Sequence, residues 1–212
     1  MNIYLSGGGS TEQTKALDEL YFGSIPSGSR IAYIPIALRH SRSIEDCANW
    51  FRHLLSENGD FTLSVLDDLT EQRSDLMNFD AVYIGGGNTY DLLQEVRNSG
   101  VEKYLKQFAE SGKPIYGGSA GAVLLGKDIG TVARMDTNKG NISNTSGLNS
   151  TSGFSVWPHY NSSEDEHIFK YAAETSTPVL ALSEDAGVHI NATLNPVGVV
   201  WKFDSSGKNI CV

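Results

Sequence analysis

Pro114-Ile-Tyr-Gly-Gly-Ser-Ala-Gly-Ala-Val-Leu-Leu-Gly126 has the form of a strand, a sharp turn and the opening of a helix. Its middle, Gly117-Gly-Ser-Ala-Gly121, matches G-x-S-x-G, in which small residues let the chain reverse and hold a serine hydroxyl clear of the backbone. Larger side chains beside the serine would collide in so tight a turn, and Ser119 itself is expected to be strained there. Ala122-Val-Leu-Leu125 then suits a buried helix whose first N–H groups can face an oxyanion. The same pentapeptide also occurs as an ordinary glycine-rich turn without chemistry, so the rest of the chain has to decide between the two.

Before this stretch, Ile3-Tyr-Leu5, Arg30 to Ile36, Phe61 to Leu66 and Phe79 to Ile84 read as short apolar strands. Helical spacing covers Thr11 to Phe22 and Ser43 to Ser56, the latter with Ile44, Cys47, Trp50, Phe51, Leu54 and Leu55 expected to face inward. Two more helices are expected over Tyr90 to Arg97 and Val101 to Glu110, the second stopped near Ser111-Gly112. After it, Asp128 to Gly153 is rich in Gly, Asn, Thr and Ser but lacks charge runs, which implies turns and short strands. Glu164 to Glu174 suits a helix, Val179 to Leu182 and Gly187 to Ile190 suit strands, and Val197 to Phe203 a final hairpin partner. Alternating βα units through Gly126 predict an α/β fold with a mainly parallel sheet and helices on both faces, arranged as one domain over residues 1–212.

A chain with 40% hydrophobic residues can bury a substantial core, while a net charge of -9 argues against nucleic acid as a partner. The start, Met1 to Gly9, has neither a basic region nor a long apolar run, so no signal peptide or membrane anchor is expected and the cytoplasm is the expected compartment. Cys47 and Cys211 read as free thiols. No metal is expected, because the five histidines do not pair with carboxylates at helix-face spacing. Ser6-Gly-Gly-Gly-Ser10 lacks G-x-G-x-x-G, which leaves a tight turn or a crevice wall ahead of a nucleotide-binding loop.

A serine nucleophile needs a base, and the base needs an orienting acid. Trp157-Pro-His-Tyr160 places His159 in a loop beside a proline, and Leu182-Ser-Glu-Asp-Ala-Gly187 places Glu184 and Asp185 just past a strand. Singly, His159 reads first as a satisfied loop histidine, and Glu184 and Asp185 can be read as a solvated acidic turn. Jointly, Gly85-Gly-Gly-Asn-Thr89, Gly117 to Ala122, Pro158-His159 and the Glu184 segment closely resemble, in order and spacing, the peptidase E group of aspartyl dipeptidases and related cyanophycinases. The similarity covers nearly the whole chain, Gly7-Gly-Gly9 included.

That resemblance implies a three-layer α/β sandwich related to class I glutamine amidotransferases, and a serine peptidase acting on short peptides without a cofactor. Residue by residue, it implies Ser119 as nucleophile, His159 as general base and Glu184 as orienting acid, with Asp185 the open alternative. Gly87 and Ala120 would supply the oxyanion-hole N–H groups. Asp136 is the nearest counterpart of an aspartate that aids substrate recognition in the aspartyl dipeptidases. The competing reading is an amidotransferase-like binding or chaperone protein without hydrolysis. No arginine follows Arg134, and Glu164, Asp165 and Glu166 follow the base, so neutral or basic short peptides are expected to be cleaved at least as well as aspartyl ones, unless Arg39, Arg42, Arg134 or Lys170 compensates.

Overall fold

The computed structural model describes residues 1–211. In chain order the elements are β1 (Asn2–Ser6), α1 (Thr11–Gly23), β2 (Arg30–Ile34), α2 (Ile44–Asn58), β3 (Thr62–Val65), α3 (Leu69–Gln72), β4 (Ala81–Ile84), α4 (Thr89–Asn98), α5 (Glu102–Glu110), β5 (Pro114–Gly118), α6 (Ala120–Leu125), β6 (Ser155–Trp157), α7 (Asp165–Thr175), β7 (Val179–Leu182), β8 (Gly187–Ile190), β9 (Leu194–Val197), β10 (Val200–Asp204) and β11 (Gly207–Ile210). A seven-stranded sheet runs β3-β2-β4-β5-β1-β8-β9, and a four-stranded sheet runs β11-β10-β7-β6. The five strands from β3 to β1 are mutually parallel, and β8 and β9 add an antiparallel edge.

Alternation along the parallel strands sorts side chains onto two faces. Ile3, Leu5, Ala32, Ile34, Val82, Ile84 and Ile115 join one core with α4, α5 and α6, and that core reaches Val156, Leu180 and Val200 of the second sheet. Tyr4, Tyr33, Tyr83 and Tyr116 face the other way, under α1 and α2. These tyrosines stand in register across β2, β4, β5 and β1. Tyr83 stacks on Tyr116 with centroids 4.4 Å apart, and Tyr4 stacks on His189 at 4.2 Å. From α1, Tyr21 closes the row and donates its hydroxyl to Val82 O at 3.0 Å. Phe51 of α2 is fully buried and stacks on Tyr33 at 4.4 Å, so truncating it to alanine should cost about 3–5 kcal/mol.

The structure corrects three expectations. Trp50 is 39% exposed, although it shares a helical stripe with buried Cys47, Phe51 and Leu54. Residues 197–203 do not form one strand: Gly198, at φ 75°, turns the chain so that Val197 pairs with Gly187 in the first sheet and Val200 with Leu182 in the second. Trp157 ends a strand instead of opening a loop, because β6 pairs in parallel with β7. The expected turns in 128–153 are present as a short 3-10 turn over Ile129–Val132 and a bridge between Asp128 and Ser146.

Candidate active site

Ser119 lies between β5 and α6 at φ 47° and ψ -106°, a conformation that costs on the order of 1–3 kcal/mol for a side-chain-bearing residue. The surroundings enforce it. Ser119 N–H donates to Ser6 O at 3.1 Å, and α6 is buried along its whole length. Gly121 must lack a Cβ because one would overlap the Ile84 carbonyl, and a Cβ on Gly117 would strike the Gly121–Ala122 peptide at 2.6 Å.

The second sheet delivers the partners. His159 follows β6 and Glu184 follows β7, and the pairing of those strands is extended by Tyr160 N–H donating to Leu182 O at 2.9 Å. Ser119 Oγ lies 2.8 Å from His159 Nε2, and His159 Nδ1 lies 3.2 Å from Glu184 Oε1. A carboxylate can only accept, so Nδ1 carries the ring proton and Nε2 is left to accept from the serine hydroxyl. Asp185 is engaged elsewhere, its Oδ1 accepting from Ser183 Oγ at 2.7 Å.

The end of β1 and the residue after it hold Ser119, His159 and the turn that follows Glu184. Ser6 O holds the Ser119 amide, Gly7 O accepts from His159 N–H at 3.0 Å, and Gly7 N–H donates to Ala186 O at 3.0 Å. A Cβ on Gly8 would stand 2.6 Å from Ser119 Cβ and 2.7 Å from His159 Cε1, and one on Gly7 would overlap Ser183 O. The glycine run is thus the crevice wall that brings the two sheets together.

Above this junction lies a crevice of about 480 Å³, lined by Ser119, His159, Gly86, Gly87, Trp50 and Arg42 among others. The N–H groups of Gly86, Gly87 and Ala120 have no acceptor among the described residues. Gly87 stands at φ 130°, where a Cβ would overlap Ala37 O. The Arg42 guanidinium has no hydrogen bond or ion pair among the described residues, whereas Arg39 is held by Glu95 at 3.1 Å. Asp136 does not line the crevice; its Oδ2 accepts from Thr89 N–H at 2.7 Å, at the start of α4. Glu164 faces Arg134 at 3.7 Å, and Asp165 binds Lys208 at 2.7 Å, so neither lines the crevice. Among the described residues no cluster of three or more His, Cys, Asp or Glu gathers as a metal site, and no helix is long and apolar enough to cross a membrane.

The profile of peptidase family S51 matches residues 3–194. The chain belongs to peptidase family S51. An uncharacterized peptidase of Listeria monocytogenes is 36% identical to this S51 chain over 117 residues, 54% of this chain and 55% of that protein, so the match spans about half of that relative. Peptidase E of Streptomyces coelicolor is 27% identical over 186 residues, covering 79% of this chain and 70% of that protein. A crystal structure of a Listeria monocytogenes protein assigned provisionally to peptidase E matches with a TM-score of 0.75 at 26% identity, covering 92% of this chain and 97% of that one. A peptidase from an acI-B1 actinobacterium gives the same TM-score at 17% identity over 100% of this chain and 93% of its own, a likeness of fold alone. By family, then, this is an S51 chain, and its fold is the class I glutamine amidotransferase-like sandwich.

Proposed function

We propose that this S51 chain hydrolyses short peptides by acyl transfer through Ser119, with His159 as general base and Glu184 as the acid that orients it. The observation that carries this reading is the unbroken run from Ser119 Oγ through the His159 ring to the Glu184 carboxylate, at 2.8 and 3.2 Å. Ser119 Oγ bonds to the scissile carbonyl carbon while its proton passes to His159 Nε2. The carbonyl oxygen takes the electron pair and is held by the Gly87 and Ala120 N–H groups, each such donor typically contributing about 3 kcal/mol. As the tetrahedral species collapses the C–N bond breaks, and His159 gives its proton to the departing amine. Water then loses a proton to His159, bonds to the acyl carbon and displaces Ser119, which recovers the proton.

For substrate choice we infer short peptides with no strict demand for aspartate. Glu164 and Asp165 are paired away from the crevice and Glu166 does not line it, which removes the ground for preferring basic peptides. Arg42 is instead the cation that lines it. An exposed ion pair contributes about 0–1 kcal/mol, which favours an acidic peptide by less than about tenfold.

A fluorophosphonate probe tests the central claim. Stable labelling of wild type that disappears in Ser119→Ala is expected. Absence of labelling in a folded sample would favour the non-hydrolytic binding protein.

A further inference from the structure

The Glu184 side chain is 52% exposed, an open setting for a group that must hold an imidazole in one orientation. Water offers such a carboxylate many other positions, and an exposed charged pair resists them only weakly. The second oxygen, however, has its own partner. Gln13 Nε2 donates to Glu184 Oε2 at 3.3 Å, joining residues 171 positions apart.

Gln13 is itself fixed by the start of α1. Ser10 N–H donates to Gln13 Oε1 at 2.9 Å, and Gln13 N–H donates to Ser10 Oγ at 3.4 Å, a reciprocal capping box. An amide whose oxygen is held on one side presents its NH₂ on the other, so the cap aims a donor at Glu184. Gly9 permits the approach: a Cβ there would stand 2.8 Å from Gln13 Cβ and overlap the Glu184 carbonyl. Gln13 does not line the crevice.

We propose that Gln13 is a positioning residue: by holding Oε2, it keeps Oε1 on His159 Nδ1. One contact per oxygen fixes the plane of the carboxylate, whereas His159 alone would leave it free to swing. The inference rests on the reading of Glu184 as the orienting acid. Because Gln13 acts through Glu184 and not on the peptide, its loss should lower kcat and leave KM unchanged.

Two variants separate this role from helix capping. Gln13→Glu keeps the capping box, since glutamate serves at that position too, but faces Glu184 with a like charge. Unchanged Tm, unchanged KM and a kcat lower by about tenfold are expected, the scale of one hydrogen bond to a charged group. Gln13→Met should lose the contact and the side-chain half of the capping box, with lower Tm and a similar fall in kcat. In a Glu184→Ala background, Gln13→Glu should have no further effect. A Gln13→Glu enzyme within about twofold of wild type, beside an impaired Glu184→Ala enzyme, would overturn the inference and leave the reading of Glu184 standing. Wild-type activity in Glu184→Ala would overturn both. A raised KM with kcat unchanged would make Gln13 a substrate contact instead.

Discussion

Ser119 and His159, 2.8 Å apart at Oγ and Nε2, both stand at positive φ, 47° and 50°. Positive φ is uncommon for residues with a side chain, and each is pinned by an amide bonded to one of two consecutive carbonyls, Ser6 O and Gly7 O. The strain is therefore stored in the pair that we propose performs the chemistry.

One consequence is measurable at Ser119. Ser119→Ala should abolish turnover, by roughly a millionfold in rate, while keeping the strained turn. Ser119→Gly should be equally inactive but more stable than Ser119→Ala by about 1 kcal/mol, the strain relieved less the added unfolded-state freedom. Thermal melts of the two inactive proteins check this. Equal Tm values would mean that the elbow carries no strain.

Gly8→Ala should lower kcat severely, because the added methyl falls between Ser119 and His159 and Gly8 stands at φ 98°. Stability should fall by about 1 kcal/mol or more, as expected for alanine in a glycine conformation. Turnover and Tm measured on the same preparation decide it. Undiminished kcat would show that the glycine wall yields without moving the pair.

Asp136→Ala should lower stability by about 1 kcal/mol, as loss of a helix cap does. It should also lower kcat, since Thr89 follows directly on the Gly85–Asn88 loop that carries Gly87. Asp136→Asn keeps an acceptor and should retain most of both. An unchanged Tm with a raised KM would instead make Asp136 the substrate contact implied by the resemblance to peptidase E.

Burial raises the pKa of Asp18 above the ordinary 3.8, against the smaller opposing effect of its bond from Thr14. Its Oδ1 is buried without a hydrogen-bond partner among the described residues. The folded chain thus holds this proton to higher pH than the unfolded chain does. Stability is lost as pH rises from 3.8 through the raised value, and stays lost at neutrality. Asp18→Asn should therefore raise Tm at pH 7, with the gain shrinking as pH falls toward 3.8. An equal gain at both ends of that range would assign the effect to packing.

Specificity is tested by kcat/KM on Asp-Leu, Ala-Leu and Lys-Leu. Asp-Leu should lead Ala-Leu by less than about tenfold, with Lys-Leu slowest, and Arg42→Ala should level the series. A lead of Asp-Leu above about a hundredfold would mean a strict aspartyl site.

The elbow was legible because Gly117 and Gly121 each answer a local steric demand, and the βα alternation followed from side-chain periodicity. His159 and Glu184 were found through spacing shared with a known group, since nothing local marks a loop histidine as a base. Trp50 misled because a crevice wall is apolar in the same helical stripe as a core. The second sheet was obscured by the shortness of Ser155–Trp157 and by the Gly198 turn, which divides one apolar run between two sheets. Ser10-Thr-Glu-Gln13 has the spacing of a capping box, but nothing in the sequence marks the contact of Gln13 to Glu184, which exists only after β1 and β8 pair.

The tyrosine row beneath the crevice has an optical consequence. Trp50 lies 6.2 Å from Tyr33 and 6.1 Å from Tyr83, at the edge of that row, and stands 39% exposed on the crevice wall. Ultraviolet energy absorbed by buried phenols passes without radiation to a nearby indole, and the colour of indole emission follows the water around it. A peptide lying against Trp50 displaces that water, so light absorbed within the sheet is emitted at a wavelength that records whether the crevice is full.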